Sequence, residues 1–473
     1  MHIIFLNPQG NFDPADSHLT EHPDFGGQLV YVKELAYAMA ELGHKIDIVT
    51  RRIRDNEWPE FAADQERYTS SPKTLRILRF PCGGDSFLEK EQLWPHIPEL
   101  IGNMVDFYGN MRPDFVTAHY ADGGYGAALT QIKTGIPFTF TGHSLGAQKL
   151  DKLGTNQANW PKMEARFKFS KRIAAERISM KSATRIIVST GQEKEEQYSH
   201  RLYQDAIDSS DSSRFAVTPP GVNENVFSSR ETQLDNKIKP KLEAEFGDDV
   251  RPGIVISSRL DEKKNIIGVL KAVAENKQLS GKAQIILCVR GIETPERDIG
   301  KLSSSEQVVL REILELLATA NIRKQTHFLN IGSQLELAAT YRFFAKRGSV
   351  FALTSLYEPF GLAPIEAAAT GLAPVVTKNG GPSEIFADGS GILVDPFSPS
   401  SIGQGLLNGL ERNGELSQAA MRRVKEVYTW QNTAAGYLSV IENVVTAMAS
   451  NTEKGPLKLD ENERIIEYLG GQA

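Results

Sequence analysis

Ser355-Leu-Tyr-Glu358-Pro-Phe-Gly361-Leu-Ala-Pro-Ile-Glu366-Ala367 is the stretch on which the reading of this chain turns. The apolar run Val350 to Leu353 before it predicts a buried strand, and the small-residue segment Pro364 to Thr370 predicts a helix. Glu358 falls in the turn between them, and Glu366 lies one turn inside the helix. Gly361 and Leu362 would present backbone N–H groups at the helix start, where the aligned peptide dipoles favour an anion. Strand, glycine turn and helix make a general phosphate cradle. Two carboxylates beside it would repel a phosphate unless they bind hydroxyls. The ligand implied therefore carries both groups, as a nucleotide sugar does. The plainer alternative makes Glu358 a solvated loop residue and Glu366 a helix-start acid.

The spacing of Glu358 and Glu366 resembles the paired-glutamate motif of retaining glycosyltransferases of the GT-B fold. There the first glutamate contacts the donor sugar and the second the ribose.

The composition narrows the field. Single cores rarely grow past about 250–300 residues, so 473 residues imply two or three domains. A hydrophobic share of 40% with 24% charged residues describes an ordinary globular protein. A formal charge of −6 argues against general nucleic-acid binding, which needs a basic field. The only two cysteines, Cys82 and Cys288, are far apart and suggest neither a disulfide framework nor a zinc site. No apolar run approaches the ~18 residues of a membrane span, and His2 to Leu6 reads as a first strand rather than a signal peptide. A cytoplasmic enzyme is expected, with no membrane partner.

Two α/β alternations run along the chain. In the first, strand His2–Leu6 leads through a long polar loop, Asn7 to Phe25, to Gly26-Gly27-Gln28 and a helix carrying Leu29, Val32, Leu35, Ala36 and Met39. Such a loop belongs at the carboxyl edge of a parallel sheet, where these folds bind ligands; the glycines could equally form a simple tight turn. Lys45–Val49, Phe115–Ala118, Pro137–Thr141 and Arg185–Ser189 read as further strands. A long helix is expected from Pro161 to about Ser182, with its basic residues, Arg172 and Arg177 among them, on a solvated face. Pro219-Pro220-Gly221-Val222-Asn223 reads as the interdomain linker. Strands near 254–257, 283–289, 327–330, 350–353, 374–377 and 392–394 make the second alternation. The architecture expected is two doubly wound, Rossmann-like parallel-sheet domains facing a cleft, over 1–220 and 221–430, with a helical segment over 431–473 crossing back to the first.

Gly142-His143-Ser144-Leu145-Gly146 matches G-x-S-x-G, the nucleophile elbow of α/β-hydrolases. A hydrolase would need a histidine downstream; only His200 and His327 follow, neither in a loop after a final strand. No obvious helix begins directly after Ser144, so the hydrolase reading is the weakest. His143 itself could be a loop histidine bound to backbone.

Arg259 and Lys264 leave one strand end in Ser258-Arg-Leu-Asp-Glu-Lys-Lys-Asn265. Fixed cations stabilise the charge that a diphosphate gains as its bond to sugar breaks. No Asp-x-Asp triplet is present to hold a divalent metal instead. Metal-independent chemistry without a cofactor is expected.

Taken together, Pro23–Gln28, Thr141–Gly146, Ser258–Asn265, Tyr357–Leu362 and Asn379-Gly-Gly-Pro382 resemble the blocks of the sucrose-phosphate synthase family, the bacterial members most closely. Plant sucrose-phosphate and sucrose synthases share most of them. The resemblance implies that Arg259 and Lys264 grip the donor diphosphate, that Glu358 contacts the glucose hydroxyls, and that His143 stands beside the donor sugar. Glu366 would hold the ribose diol and the Gly361–Leu362 backbone a phosphate, with Phe360, Gly27 and the backbone around Gly291 and Leu329 completing the donor site. Gln28, Lys90, Lys149 and Arg172 would serve the acceptor, the three cations holding its phosphate.

The implied donor domain is the second and the implied acceptor domain the first. The reaction implied is transfer of glucose from UDP-glucose to fructose 6-phosphate with retention, giving sucrose 6-phosphate, and closure of the domains would exclude water. Alternatives are transfer of mannose from GDP-mannose to fructose 6-phosphate or glucosyl-3-phosphoglycerate, sucrose synthesis on free fructose, or an idle sugar-nucleotide sensor.

Overall fold

The computed structural model describes residues 1–17, 27–69, 71–247, 249–447 and 457–471. Gly26, and Pro23 to Phe25 of the first loop, lie outside the described residues. The chain forms two compact units, Met1–Pro219 with Trp430–Ala473, and Pro220–Thr429.

The first unit is built on eight strands: β1 (His2–Leu6), β2 (Lys45–Arg51), β3 (Gln65–Glu66), β4 (Leu75–Phe80), β5 (Phe115–His119), β6 (Phe138–Thr141), β7 (Arg185–Val188) and β8 (Phe215–Val217). They lie in the order β3-β4-β2-β1-β5-β6-β7-β8, parallel except where β3 runs against β4. Alternation along β1 sends Ile4 and Leu6 to one apolar cluster and Ile3 and Phe5 to another, so helices must cover both faces. The chain builds outward from β1 in one direction, then returns to lay β5 on its other side. That reversal is a switch point, where the loop leaving Leu6 meets the helix Tyr120–Thr134 that follows His119 directly.

The C-terminal residues return to this unit. The helix Trp430–Ala447 packs on helix Gly27–Glu41, and Tyr437 hydrogen-bonds Tyr31 at 2.9 Å. The single segment expected over 431–473 is instead two helices. The second, Asn462–Gly470, buries Ile465, Tyr468 and Leu469 in the core and leaves Ile466 exposed.

The helix expected from Pro161 to Ser182 is also two, Trp160–Phe167 and Phe169–Ser182, separated by Lys168 in a left-handed conformation (φ +49°). Glu164 explains the break: its carboxylate accepts from the Ser170 backbone N–H at 2.9 Å, serving a donor that a new helix start exposes. On the second piece Lys181 is exposed as expected, but the two arginines are not on a solvated face. Arg172 and Arg177 are buried, Arg177 in bonds to Asp205, Glu461 and two backbone carbonyls.

The second unit is a six-stranded, wholly parallel sheet: β9 (Gly253–Ser257), β10 (Gln284–Cys288), β11 (Thr326–Leu329), β12 (Val350–Leu353), β13 (Ala373–Thr377) and β14 (Ile392–Val394). Its order, β11-β10-β9-β12-β13-β14, puts a switch point between β9 and β12. Runs such as Gly-Ile-Val-Ile-Ser and Gln-Ile-Ile-Leu-Cys are almost wholly buried, as strands covered on both faces must be. Two doubly wound sheets confirm the fold class expected from the alternation.

Candidate functional site

Three loops leave the carboxyl ends of β9, β12 and β13 and are tied to one another. The Leu356 backbone N–H donates to Lys263 O at 2.9 Å, and Asn265 Nδ2 to Thr354 O at 3.0 Å. Glu358 N–H donates to Asn379 O, and Gly381 N–H to Glu358 O. The glycines are required by this closeness: a Cβ on Gly380 would stand 2.0 Å from Glu358 O, and one on Gly381 would stand 2.4 Å from Phe360 O. Side chains on these loops are thereby placed by backbone, before any ligand arrives.

Lys264 Nζ donates to Glu358 Oε2 at 2.8 Å, and Ser355 Oγ to the same oxygen at 3.2 Å. Cation and carboxylate therefore hold each other in place at the switch point. Arg259, from the same strand end, is exposed and borders a groove of about 620 Å³ with Ser303 and Glu306. Gly361, at φ +108°, opens the helix Leu362–Ala369, which places Glu366 in its second turn. Burial pushes the Glu366 carboxyl up to about 7, and among the described residues no basic group offsets that burial. Gly291 and Leu329 follow β10 and end β11 at the same edge; Gly291 N–H donates to Asn330 Oδ1 at 2.7 Å. Phe360 is half-buried with its ring 6.1 Å from that of Tyr428. All the donor-side residues expected in this unit thus share one sheet edge.

In the first unit, His143 follows β6 with a left-handed backbone (φ +57°). Its Nε2 is hydrogen-bonded to His119 Nδ1 at 3.0 Å, and His119 Nε2 to Thr117 Oγ1 at 3.1 Å. Tyr31 lies edge-on to the His143 ring at 4.8 Å, and its hydroxyl meets Tyr437, which also bonds Thr141. Burial lowers the His143 pKa to about 4, so the imidazole is neutral at physiological pH. Gly27 is exposed at the first turn of its helix, and Gln28 is half-buried beside it.

Lys90, Lys149 and Arg172 come from three distant segments; Lys90 and Arg172 line one recess with Tyr120, and Lys149 lies within electrostatic reach of both. The Arg172 guanidinium lies 4.7 Å over the Tyr120 ring, and Lys149 Nζ 4.4 Å over Phe167. Arg172 also donates to Glu176 at 3.0 Å and to Ser144 O at 2.7 Å. Burial, then the nearby charges of Arg172 and Lys90, lower the Lys149 pKa to about 8.

Ser144 is not built as a nucleophile. A helix, Gly146–Lys152, does begin two residues on, closer to an elbow than the sequence suggested. Yet Ser144 Oγ accepts from Arg172 Nη2 at 3.1 Å, and neighbouring His143 is engaged by His119. His200 is held by Asp151 and Tyr468, and His327 lies within β11 beside Glu245. Among the described residues no group of three or more His, Cys, Asp or Glu could hold a metal ion, and no helix is long and apolar enough to cross a membrane.

Sequence reasoning gave no role to His119, Tyr31 or Tyr437. A histidine closing the buried strand Phe115–His119 was a usable signal; nothing local links Tyr437 to a site about 300 residues earlier.

Two parallel doubly wound sheets, with a glycine-turn and paired-glutamate edge on the second, define a glycosyltransferase of the GT-B fold. The family described as glycosyl transferases group 1 matches residues 240–427, and the glycosyl transferase 4-like domain matches residues 26–204. A Thermosipho melanesiensis protein described as a "Probable sucrose-phosphate synthase" is 45% identical over 93% of this chain and 96% of its own length. Sucrose-phosphate synthase 4 of Arabidopsis thaliana is 30% identical over 94% of the chain, which spans 48% of that relative's length. The chain belongs to the sucrose-phosphate synthase family. The solved sucrose-phosphate synthase of Thermosynechococcus elongatus has the same fold, with a TM-score of 0.68 at 21% identity over 94% of this chain and 100% of that one. The Anabaena protein HepE, solved with UDP-glucose, has a TM-score of 0.59 at 16% identity, covering 94% of this chain and 100% of its own.

Proposed function

We propose that the protein transfers glucose from UDP-glucose to the 2-hydroxyl of fructose 6-phosphate, with retention and without a metal, giving sucrose 6-phosphate and UDP. The observation that carries this reading is the pairing of two chemistries on two sheet edges. One edge offers Lys264, Glu358, Glu366 and a glycine-led helix start, suited to a diphosphate flanked by hydroxyls. The other offers Lys90, Lys149 and Arg172 for a second, separate phosphate. A phosphorylated acceptor matches that cluster better than a neutral one does.

Lys264 and Arg259 neutralise the departing UDP, Glu358 takes glucose hydroxyls, and Glu366 takes the ribose diol. His143, neutral and fixed by His119, acts through hydrogen bonding rather than charge. A retaining glycosidase would need two carboxyl groups about 5–5.5 Å apart, one of them a nucleophile. Glu358 is instead tied to Lys264, which suits binding better than attack on carbon.

A matrix of donors and acceptors tests the reading. UDP-glucose with fructose 6-phosphate should give the fastest turnover, unchanged by excess chelator. Preference for GDP-mannose, equal rates with free fructose, or activity lost to chelator and restored by magnesium would overturn it.

A further inference from the structure

At the switch point of the first sheet, the loop after β1 meets the helix after β5, and two buried oxygens there have no well-directed partner. The Gln9 backbone N–H donates to Asp122 Oδ2 at 3.0 Å. Asp122 is only 4% exposed and Gln9 6%, yet among the described residues Asp122 Oδ1 and Gln9 Oε1 accept no well-directed hydrogen bond, the Asp122 and Gly123 N–H groups of the helix start lying near the carboxylate without aligning on Oδ1. Both residues line one recess with Lys90, Glu91, Tyr120 and Arg172. The contact is tight: a Cβ on Gly123 would stand 2.4 Å from Leu6 O, so loop and helix are pressed together and Asp122 cannot swing away.

A buried acceptor without a donor is costly, and such a group persists where something supplies the hydrogen. A phosphate has no hydrogen to give a carboxylate and is repelled by one. A sugar hydroxyl has one to give. The recess thus offers cations at one part and unfilled acceptors at another, which suits one ligand bearing both phosphate and hydroxyls. The recess is partly open and its free volume is about 10 Å³, space for at most one hydroxyl or one water and not for a ring. Burial raises the Asp122 carboxyl to about 6 against the pull of the Gly123 and Gln9 N–H groups and Arg172, so it is an acceptor at neutral pH.

We propose that Asp122 Oδ1, assisted by Gln9 Oε1, reads a hydroxyl of the phosphorylated acceptor, making these two residues determinants of acceptor specificity. This rests on the cation cluster binding the acceptor phosphate. The site then selects a polyol phosphate over a bare one.

The test uses Asp122→Asn and Gln9→Leu in the full chain, with inorganic phosphate as a competitor of the acceptor. Asp122→Asn should raise the KM for fructose 6-phosphate about tenfold or more. Inorganic phosphate should inhibit this variant as tightly as the wild type or more tightly, because a nearby negative charge has gone. Gln9→Leu, which keeps the backbone bond to Asp122, should weaken fructose 6-phosphate by a few fold and leave phosphate unchanged. Among 1-, 3- and 4-deoxy analogues of fructose 6-phosphate, one should bind wild type and Asp122→Asn alike.

A water-bridged scaffold role would weaken phosphate and sugar phosphate together, or penalise every analogue equally; either result overturns the inference. Lys149→Ala separates the two levels. If it leaves phosphate inhibition intact, the acceptor reading itself fails; if it abolishes inhibition while Asp122→Asn keeps the wild-type KM for fructose 6-phosphate, only the hydroxyl assignment fails.

Discussion

The two sheet edges solve similar problems by opposite means. On the second unit, Lys264, Glu358 and Gly361 sit on loops interlocked through backbone, Glu366 sits on the helix that one of these loops opens, and each stretch is a continuous motif. On the first, Lys90, Lys149 and Arg172 are brought from segments about 20 to 80 residues apart, and their placement depends on buried side-chain bonds. Arg172 shows the difference: it is held by Glu176, which in turn accepts from the Gly146 N–H and the Tyr203 hydroxyl. Backbone-held groups tolerate side-chain replacement, whereas network-held groups do not. A substitution on the donor edge should therefore read as lost chemistry, and one at Arg172 as lost structure.

The largest effect on turnover is expected at Lys264. Removing one preorganised group that stabilises developing charge typically costs about 10²–10³ in rate. Lys264→Ala should lose that much kcat while its melting temperature stays near wild type, because the pair with Glu358 is only partly buried. Arg172→Ala should instead lose stability, since breaking a buried pair costs about 3–5 kcal/mol and leaves the buried Glu176 carboxylate without its cation. Melting curves beside steady-state rates separate the two. A stable, inactive Arg172→Ala would erase the contrast drawn here.

Acidity sharpens the comparison further. Glu366, raised to about 7 by burial, must lose its proton to accept from a ribose diol, so kcat/KM for the donor should fall as pH drops below about 7. Glu366→Gln should abolish that limb. Lys149, lowered to about 8, is charged below that pH and neutral above it, so kcat/KM for the acceptor should fall above about pH 8. Lys149→Arg should move that limb out of range. Profiles in which both substrates share both limbs would show that the edges are not chemically separate. The smallest effect is expected at Ser144→Ala, which removes one of the acceptors of Arg172 and no reacting atom; loss of turnover there would revive a nucleophilic role.

What could be read from the sequence follows the same division. The strands of the second unit and the motifs from Ser258 to Asn265 and Ser355 to Ala367 were legible because their function is carried by neighbours in the chain. The kinship of Lys90, Lys149 and Arg172 entered only through resemblance, and Arg172 by itself looked like part of a solvated basic face. Its burial depends on Glu176 and Tyr203, which periodicity does not reveal. The break at Lys168 was hidden for a similar reason, because Glu164 serves a new helix start through its side chain. Asp122 and His119 lie at a switch point that exists only once the order of strands is known.

The central claim is that donor and acceptor are read by different units, the acceptor through its phosphate. Calorimetric titration of UDP and of fructose 6-phosphate into wild type and Lys149→Ala tests it most directly. UDP should bind both proteins equally, while fructose 6-phosphate should bind the variant about tenfold or more weakly, the loss of one charged hydrogen bond. Equal binding of fructose 6-phosphate to the two proteins, or a parallel loss of UDP, would contradict the account.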